Sequence, residues 1–339
     1  MIRVPAPLRP GDRIGVTAPS SGVPDAMRPR LDVAVETLVG RGFTVELGEC
    51  LGAPSHVSAP REDRAEELMR MLLDPAIAAV VPPWGGETGI DLLDLLDFDR
   101  LAGAEPCWLV GFSDLTTVML PLMLRAGWAT LHGANLMDTP YRAPASMAHW
   151  LDVAAASGEV EQRSPGRFRK GFVDYADHPE VDEYDLAEPG GWSVLGGGDA
   201  EVSGLLVGGC VEVLSPLAGT PYADVPAFAR QHAEQGVLVF LEACEWSPYD
   251  VARALHGFRL AGWFEQASGV VIGRPAAPDL EAWTQHQAVA DALGSLEIPV
   301  VLDVDCGHVA PYLPLVTGVP TRVTVRDGRG TVSQTLPNR

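Results

Sequence analysis

The chain has 339 residues, 47% of them apolar, and its 24 Lys and Arg against 45 Asp and Glu give a formal net charge of −21. That acidic balance works against nucleic acid and anionic membrane surfaces as partners, and no apolar run reaches membrane-spanning length. The length and apolar content suffice for two hydrophobic cores, and Met1-Ile2-Arg3-Val4-Pro5 lacks the apolar core of a signal peptide.

In chain order, residues 13–18 read as a strand, after which Leu31, Val35, Leu38 and Val39 recur at helical spacing. A strand over 43–47 leads to a helix over 61–73, with Leu68, Met69 and Leu72 as its apolar stripe. A strand at 77–81, a helix near 90–96, a strand at 107–110 and a helix from 114 to about 125 follow. Short, continuous apolar strands between amphipathic helices imply a parallel sheet covered on both faces. Ligands of such sheets gather at the carboxyl ends of strands.

From 156 to 198 the pattern gives way to charged, Gly- and Pro-containing sequence with Tyr175, Tyr184 and Trp192. This stretch reads as a linker or ordered surface loop between a domain over 1–155 and another over 199–339. Strands are predicted at 202–207, 237–241, 269–272, 300–304 and 321–325, with helices at 249–260 and 280–293. A hairpin turning at Asp327-Gly328 closes the chain. The 5 cysteines form no CxxC pair or zinc pattern and read as free thiols in a reducing compartment, which fits the cytoplasm. Cys107 and Cys244 read as strand residues with no histidine near them in sequence, which weakens a cysteine nucleophile.

Gly111-Phe112-Ser113-Asp114-Leu115 joins the strand at 107–110 to the next helix. A sharp strand-to-helix turn through Gly-x-Ser exposes a nucleophilic serine, and the amide after it, that of Asp114, faces the reacting carbonyl. The bland alternative is that Ser113 or Asp114 merely caps the helix. The second glycine of the usual elbow is absent, its place taken by Leu115.

A serine hydroxyl needs a base, usually histidine, and a carboxylate to hold that histidine's tautomer. Of 8 histidines, His308 follows a predicted strand in Asp305-Cys306-Gly307-His308, and His132, close after Ser113, competes with it. For the carboxylate, Glu242 ends the apolar run 237–241, where an unpaired charge would be costly. Glu245, Asp303 and Asp305 are alternatives. Gly85-Gly86, after another strand, would let backbone N–H groups approach an oxyanion together with that of Asp114. No phosphate loop or metal motif competes, so neither cofactor nor metal is expected.

These residues resemble the LD-carboxypeptidase group of serine peptidases, which includes the microcin C immunity peptidases. The resemblance runs along the whole chain: Gly11-Asp12-Arg13-Ile14, Ala18-Pro19-Ser20, Gly85-Gly86, Gly111 to Thr116, His132-Gly133, Gly208-Gly209, Gly219-Thr220, Leu241-Glu242, Gly307-His308, Leu313-Pro314 and Gly318. It implies an α/β protein with an N-terminal flavodoxin-like parallel-sheet domain and a smaller C-terminal α/β domain. It also implies a Ser113, Glu242 and His308 triad, no metal, and a homodimer. The implied substrates are small peptides, such as the L,D bond to terminal D-alanine in murein tetrapeptide, or peptidyl- and aminoacyl-nucleotide amides. A non-catalytic peptide-binding protein on the same scaffold is the rival of another class. The chain departs from the group's pattern in Glu87-Thr88 after Gly-Gly, in Cys210 where an asparagine is usual, and in Ala243 after Glu242. The departure at Cys210 bears on a position that could contact substrate. Trp192 falls where immunity-type members carry a tryptophan that stacks on a nucleobase.

Overall fold

The computed structural model describes residues 2–338. Its first sheet has six strands in the order Leu315–Val316, Leu131–His132, Trp108–Gly111, Ile77–Val80, Arg13–Val16 and Thr44–Leu47. All neighbours pair in parallel except Leu315–Val316, which runs antiparallel to Leu131–His132. Trp108–Gly111 is buried throughout and Ile77–Val80 nearly so, as expected of strands covered on both faces. Helices Arg28–Gly40 and Arg61–Leu73 supply much of that cover through Leu31, Ala34 and Leu38 and through Leu68, Met71 and Leu72.

The second sheet has eight strands, ordered Gly158–Arg163, Arg329–Leu336, Pro320–Arg326, Ala200–Cys210, Val237–Glu242, Ala267–Gly273, Val300–Val304 and Ser193–Val194. Four are parallel at its centre, from Ala200–Cys210 to Val300–Val304, and antiparallel pairs flank them. The hairpin turns at Asp327 and Gly328, with φ of 49° and 73°, the two left-handed residues of a type I′ turn.

Three elements differ from the periodicity reading. The stretch 90–96 is a short 3-10 turn, Gly89–Leu92, and the helix beyond it is Phe98–Ala102, started by the Asp97 side chain accepting from the Arg100 amide. The segment after Ser113 is helical in three pieces, a 3-10 turn Ser113–Leu115, an α-helix Thr116–Pro121 and a wider π turn Leu122–Ala126, stopped by Gly127 at φ 70°. Pro121, which has no amide hydrogen to donate, lies at the junction. The stretch 156–198 joins the second sheet at both edges, through Gly158–Arg163 and Ser193–Val194, and forms a ribbon between Arg167–Phe168 and Glu188–Pro189.

The two sheets meet where the site lies. Helix Thr116–Pro121 packs on strand Ala200–Cys210, the Cys210 amide donating to Thr116 Oγ1 at 3.2 Å. Thr317 reaches back from the later part of the chain, its Oγ1 accepting the Thr130 amide at 3.0 Å.

Candidate active site

The sequence Trp108-Leu-Val-Gly forms a fully buried strand that ends at the turn bearing Ser113. Ser113 has φ 65°, a left-handed conformation that strains any residue with a Cβ and that is found at nucleophile elbows. Neither Ser113 nor Asp114 provides a side-chain cap for the helix start. Asp114 instead ties loops together: its Oδ2 accepts from Ser20 Oγ at 2.6 Å and from the Gly89 amide at 2.7 Å, and its Oδ1 accepts from Thr117 at 3.2 Å. The carboxylate thereby fixes the Gly85–Gly89 loop beside the elbow. That role was not read from the sequence, although Ser20 stood among the residues of the resemblance.

Gly85 lies against the elbow. A Cβ there would fall 2.9 Å from the Asp114 amide nitrogen and 3.0 Å from Ser113 Oγ. Gly86 follows in an extended left-handed conformation, φ 152°, pressed on Ser20 and Ser21. Backbone N–H groups of this loop and of Asp114 can therefore converge beside the hydroxyl, as stabilising an oxyanion requires.

Glu242 and His308 come from the second sheet. Glu242 ends the central strand and is wholly buried. His308 follows Gly307, whose φ is 95° and where a Cβ would lie 2.3 Å from Glu242 Oε2, so only glycine lets the ring approach the carboxylate. His308 Nδ1 lies 2.7 Å from Glu242 Oε2. With a carboxylate accepting there, Nδ1 is the donor and Nε2 is left for the cavity. Burial is the largest single influence and pushes the Glu242 carboxyl up, but the charge and hydrogen bond of His308, together with the nearby His132, outweigh it and leave the group at about 2. Burial would likewise lower the His308 pKa, but the Glu242 charge, together with hydrogen bonding to Cys244 and Glu242, overcomes this and holds it well above the ordinary histidine value. The two groups thus form a buried ion pair.

Two of the competing residues, Cys244 and Glu245, line the same cavity as Ser113, with the Cys244 thiol in hydrogen-bonding contact with the His308 side chain; the others do not reach Ser113. His132 is buried with its Nε2 3.8 Å from Glu242 Oε1, beyond hydrogen-bond range, and its ring packs on Phe240 and Phe112. It stands behind the carboxylate. Asp305 accepts from Trp192 Nε1 at 2.9 Å and from Ser164 at 2.6 Å, and Asp303 faces His286 at 3.1 Å. Cys107 is buried, which pushes its thiol up to about 12.

Ser113 and His308 face one cavity of about 520 Å³, shared with Gly85, Gly86, Cys210 and Glu212. The Phe112 ring meets the His308 ring edge-on, 4.9 Å between centroids. Among the described residues no side chain hydrogen-bonds Ser113 Oγ, and such contacts often tighten only once substrate is bound. Glu212 was also missed in the sequence. Its Oε1 accepts the amides of Cys244, Glu245 and Trp246 at 2.7, 3.0 and 3.3 Å, fixing the turn after Glu242.

Trp192 requires a correction. It is 1% exposed and donates to Asp305, and its ring fills the space that a Cβ on Gly330 would need. It lies outside the cavity lining, so no face is free for a nucleobase. The tryptophans that do line the cavity are Trp84 and Trp246. The sequence stretch gave only a position for Trp192; the two strands that trap it were not legible there.

Cys210, Glu242 and His308 bring possible ligand atoms within 4.8 Å of one another. Two of the three are engaged in the ion pair, and burial, with Glu242 and Glu212 nearby, keeps the Cys210 thiol protonated. As a thiol it is a poor metal ligand.

Sequence models of the LD-carboxypeptidase N-terminal domain and C-terminal domain match residues 14–133 and 203–323. The chain belongs to the LD-carboxypeptidase family. It is 26% identical over 304 residues to the murein tetrapeptide carboxypeptidase of Pseudomonas aeruginosa, covering 87% of this chain and 88% of that one. To the microcin C7 self-immunity protein MccF of Escherichia coli it is 23% identical over 323 residues, covering 93% and 91%. The solved wild-type MccF without ligand shares the fold, with a TM-score of 0.83 at 21% identity over 99% of this chain and 100% of that one. Membership makes the chain a carboxypeptidase-type hydrolase with two α/β sheets. Among the described residues no helix is long and apolar enough to cross a membrane.

Proposed function

We propose that this family member is a cytoplasmic serine carboxypeptidase acting through Ser113, His308 and Glu242. The observation that carries the reading is the convergence on one cavity of a left-handed Ser113, a glycine pressed on its Oγ, and a histidine whose Nδ1 is held by a buried carboxylate. In this mechanism the neutral fraction of His308 takes the Ser113 proton at Nε2 while Oγ bonds to the carbonyl carbon of the scissile amide. The resulting oxyanion accepts from the N–H groups of Asp114 and Gly86, with Gly85 as the alternative donor. The C–N bond then breaks, the amine leaves with the proton from His308, and water hydrolyses the acyl-enzyme by the same route. Glu242 orients His308 and stabilises its charged form.

The substrate proposed is a murein tetrapeptide, cleaved at the L,D bond to its terminal D-alanine. The name of the Pseudomonas aeruginosa relative supports it, as does the absence of Trp192 from the cavity. The second reading, cleavage of an aminoacyl-nucleotide amide, is favoured by the solved complex of MccF with aspartyl sulfamoyl adenosine. In it, Trp246 or Trp84 would have to serve the base. The homodimer implied by the family resemblance belongs to the same proposal.

Mass spectrometry of the tetrapeptide after incubation with wild type and with Ser113→Ala tests it. Loss of one alanine by wild type alone is expected, with Ser113→Ala slower by on the order of 10⁴-fold or more. A folded Ser113→Ala variant with near-normal turnover would refute the serine mechanism. Turnover of an aminoacyl sulfamoyl adenosine but not of tetrapeptide would select the second reading.

A further inference from the structure

The cavity beside Ser113 is strongly acidic. Glu87, Asp138, Glu212 and Glu245 line it, and among the described residues Arg169 is the one Lys or Arg that does. In a chain of net charge −21, an anionic substrate group has little else to pair with.

Arg169 is also poorly satisfied. It is 8% exposed, yet among the described residues no carboxylate oxygen lies within ion-pair distance of its guanidinium. Its one side-chain hydrogen bond runs from Nη1 to the Tyr141 hydroxyl at 3.2 Å, and its Nε is buried without a partner. The guanidinium is held in place by the rings of Tyr141 and Tyr184, 5.4 and 5.9 Å from their centroids. A buried cation without a counter-charge is costly, and aromatic faces compensate only in part. The arrangement is a preformed guanidinium fork that lacks its anion.

Its place along the substrate follows from the backbone. The Arg169 amide donates to the Ala310 carbonyl at 2.9 Å, two residues beyond His308, whereas the Gly85–Gly86 side of the cavity is tied to Ser20 and Ser21. In acyl transfer the leaving amine takes its proton from the histidine and so departs on the histidine's side. Asp138, nearby, has its Oδ1 taken by the Tyr175 hydroxyl at 2.5 Å, and burial favours its neutral form.

We infer that Arg169 binds the free α-carboxylate of the residue that leaves, and so restricts this site to cleavage next to a chain end. The inference rests on the serine-peptidase reading above. Arginine suits the task because its planar fork matches a carboxylate bidentately.

The test compares the murein tetrapeptide ending in D-alanine with the same peptide ending in D-alaninamide, on wild type, Arg169→Met and Arg169→Lys. Wild type should prefer the acid. Arg169→Met should lose on the order of 10²-fold in kcat/KM on the acid, chiefly through KM, with the amide rate unchanged. Arg169→Lys should recover part of the loss. The amide rate reports whether each variant is folded. An acid-to-amide ratio in Arg169→Met equal to that of wild type overturns the inference, as does an equal loss on both peptides, which marks a purely structural residue. Failure of wild type on both peptides is distinct: it overturns the murein reading and takes the inference with it.

Discussion

Gly85→Ala isolates the proposed oxyanion arrangement better than a change to the proposed triad. Gly85 does not occupy the left-handed region, so its backbone accepts alanine without strain. The new methyl would sit 2.9 Å from the Asp114 nitrogen and from Ser113 Cβ, and 3.0 Å from Ser113 Oγ. One of these atoms is the Asp114 backbone nitrogen and another the Cβ of Ser113, itself strained at φ 65°, so neither can swing aside. Overpacking of this kind costs about 1–3 kcal/mol of stability. The larger effect falls on the chemistry, because the methyl occupies the space beside the Asp114 N–H where the oxyanion must develop. Loss of one such donor lowers kcat by on the order of 10²–10³, and the predicted drop is at least that, with KM little changed. Steady-state release of D-alanine, alongside a thermal melt, measures both. Gly257→Ala is the matched control: it lies within helix Pro248–Leu260 with nothing within 4 Å of the added Cβ. It should keep full activity and gain about 1 kcal/mol from helix propensity. A folded Gly85→Ala variant with kcat within a few-fold of wild type would show that the Asp114 amide does not hold the oxyanion.

Two further outcomes follow. His308 must be neutral to accept the Ser113 proton, and Glu242 holds its pKa well above the usual value; kcat/KM should therefore climb with pH through a limb above the ordinary histidine range. In Glu242→Gln the raising charge is gone while burial still lowers the pKa, so the limb should move to lower pH and the plateau should fall by on the order of 10³–10⁴; a limb that does not move would separate Glu242 from His308. Trp192→Phe should lower the melting temperature, since it leaves the buried Asp305 without its indole donor at 2.9 Å, while the preference between tetrapeptide and aminoacyl nucleotide stays as in wild type; a selective loss on nucleotide substrates would restore the stacking role.

Much of this architecture was legible because it depends on local chemistry. The strands Val237–Glu242 and Val300–Val304 are apolar apart from Glu242 and Asp303, and Asp327-Gly328 can hardly be anything other than a hairpin turn. The pairing of Gly307 with His308 was visible as a place where the chain could turn. What the sequence withheld was set by contacts distant along the chain. Glu242 could be favoured over helix-surface acids on the cost of burying it, but only the fold gives the alternatives Asp303 and Asp305 to His286 and to Trp192. Asp114 looked like a helix cap or an amide donor. Its carboxylate serves Ser20, 94 residues away, which no local pattern could reveal.

The stretch 156–198 carries the most instructive difference. Its polar composition suggested a connector, yet it supplies both edge strands of the second sheet. It also places Arg169, Phe172, Val173 and Tyr175 in the cavity wall. Charge and glycine content are high there because most of these residues are at least partly exposed to solvent, so low hydrophobic periodicity marked an ordered surface segment and not an absence of structure. The consequence is mechanical. Ser113 is held by the first sheet, Glu242 and His308 by the second, and the contact that sets their spacing is narrow: a Cβ at Gly209 would fall 2.7 Å from Thr116 Cβ, three residues after Ser113. A side chain at Gly209 would push strand Ala200–Cys210 away from the elbow, and with it the neighbouring strand that ends in Glu242. The two half-sites would then separate while each sheet stayed intact. The geometry of the proposed triad is therefore a property of the packing between sheets, and of the segment that crosses between them.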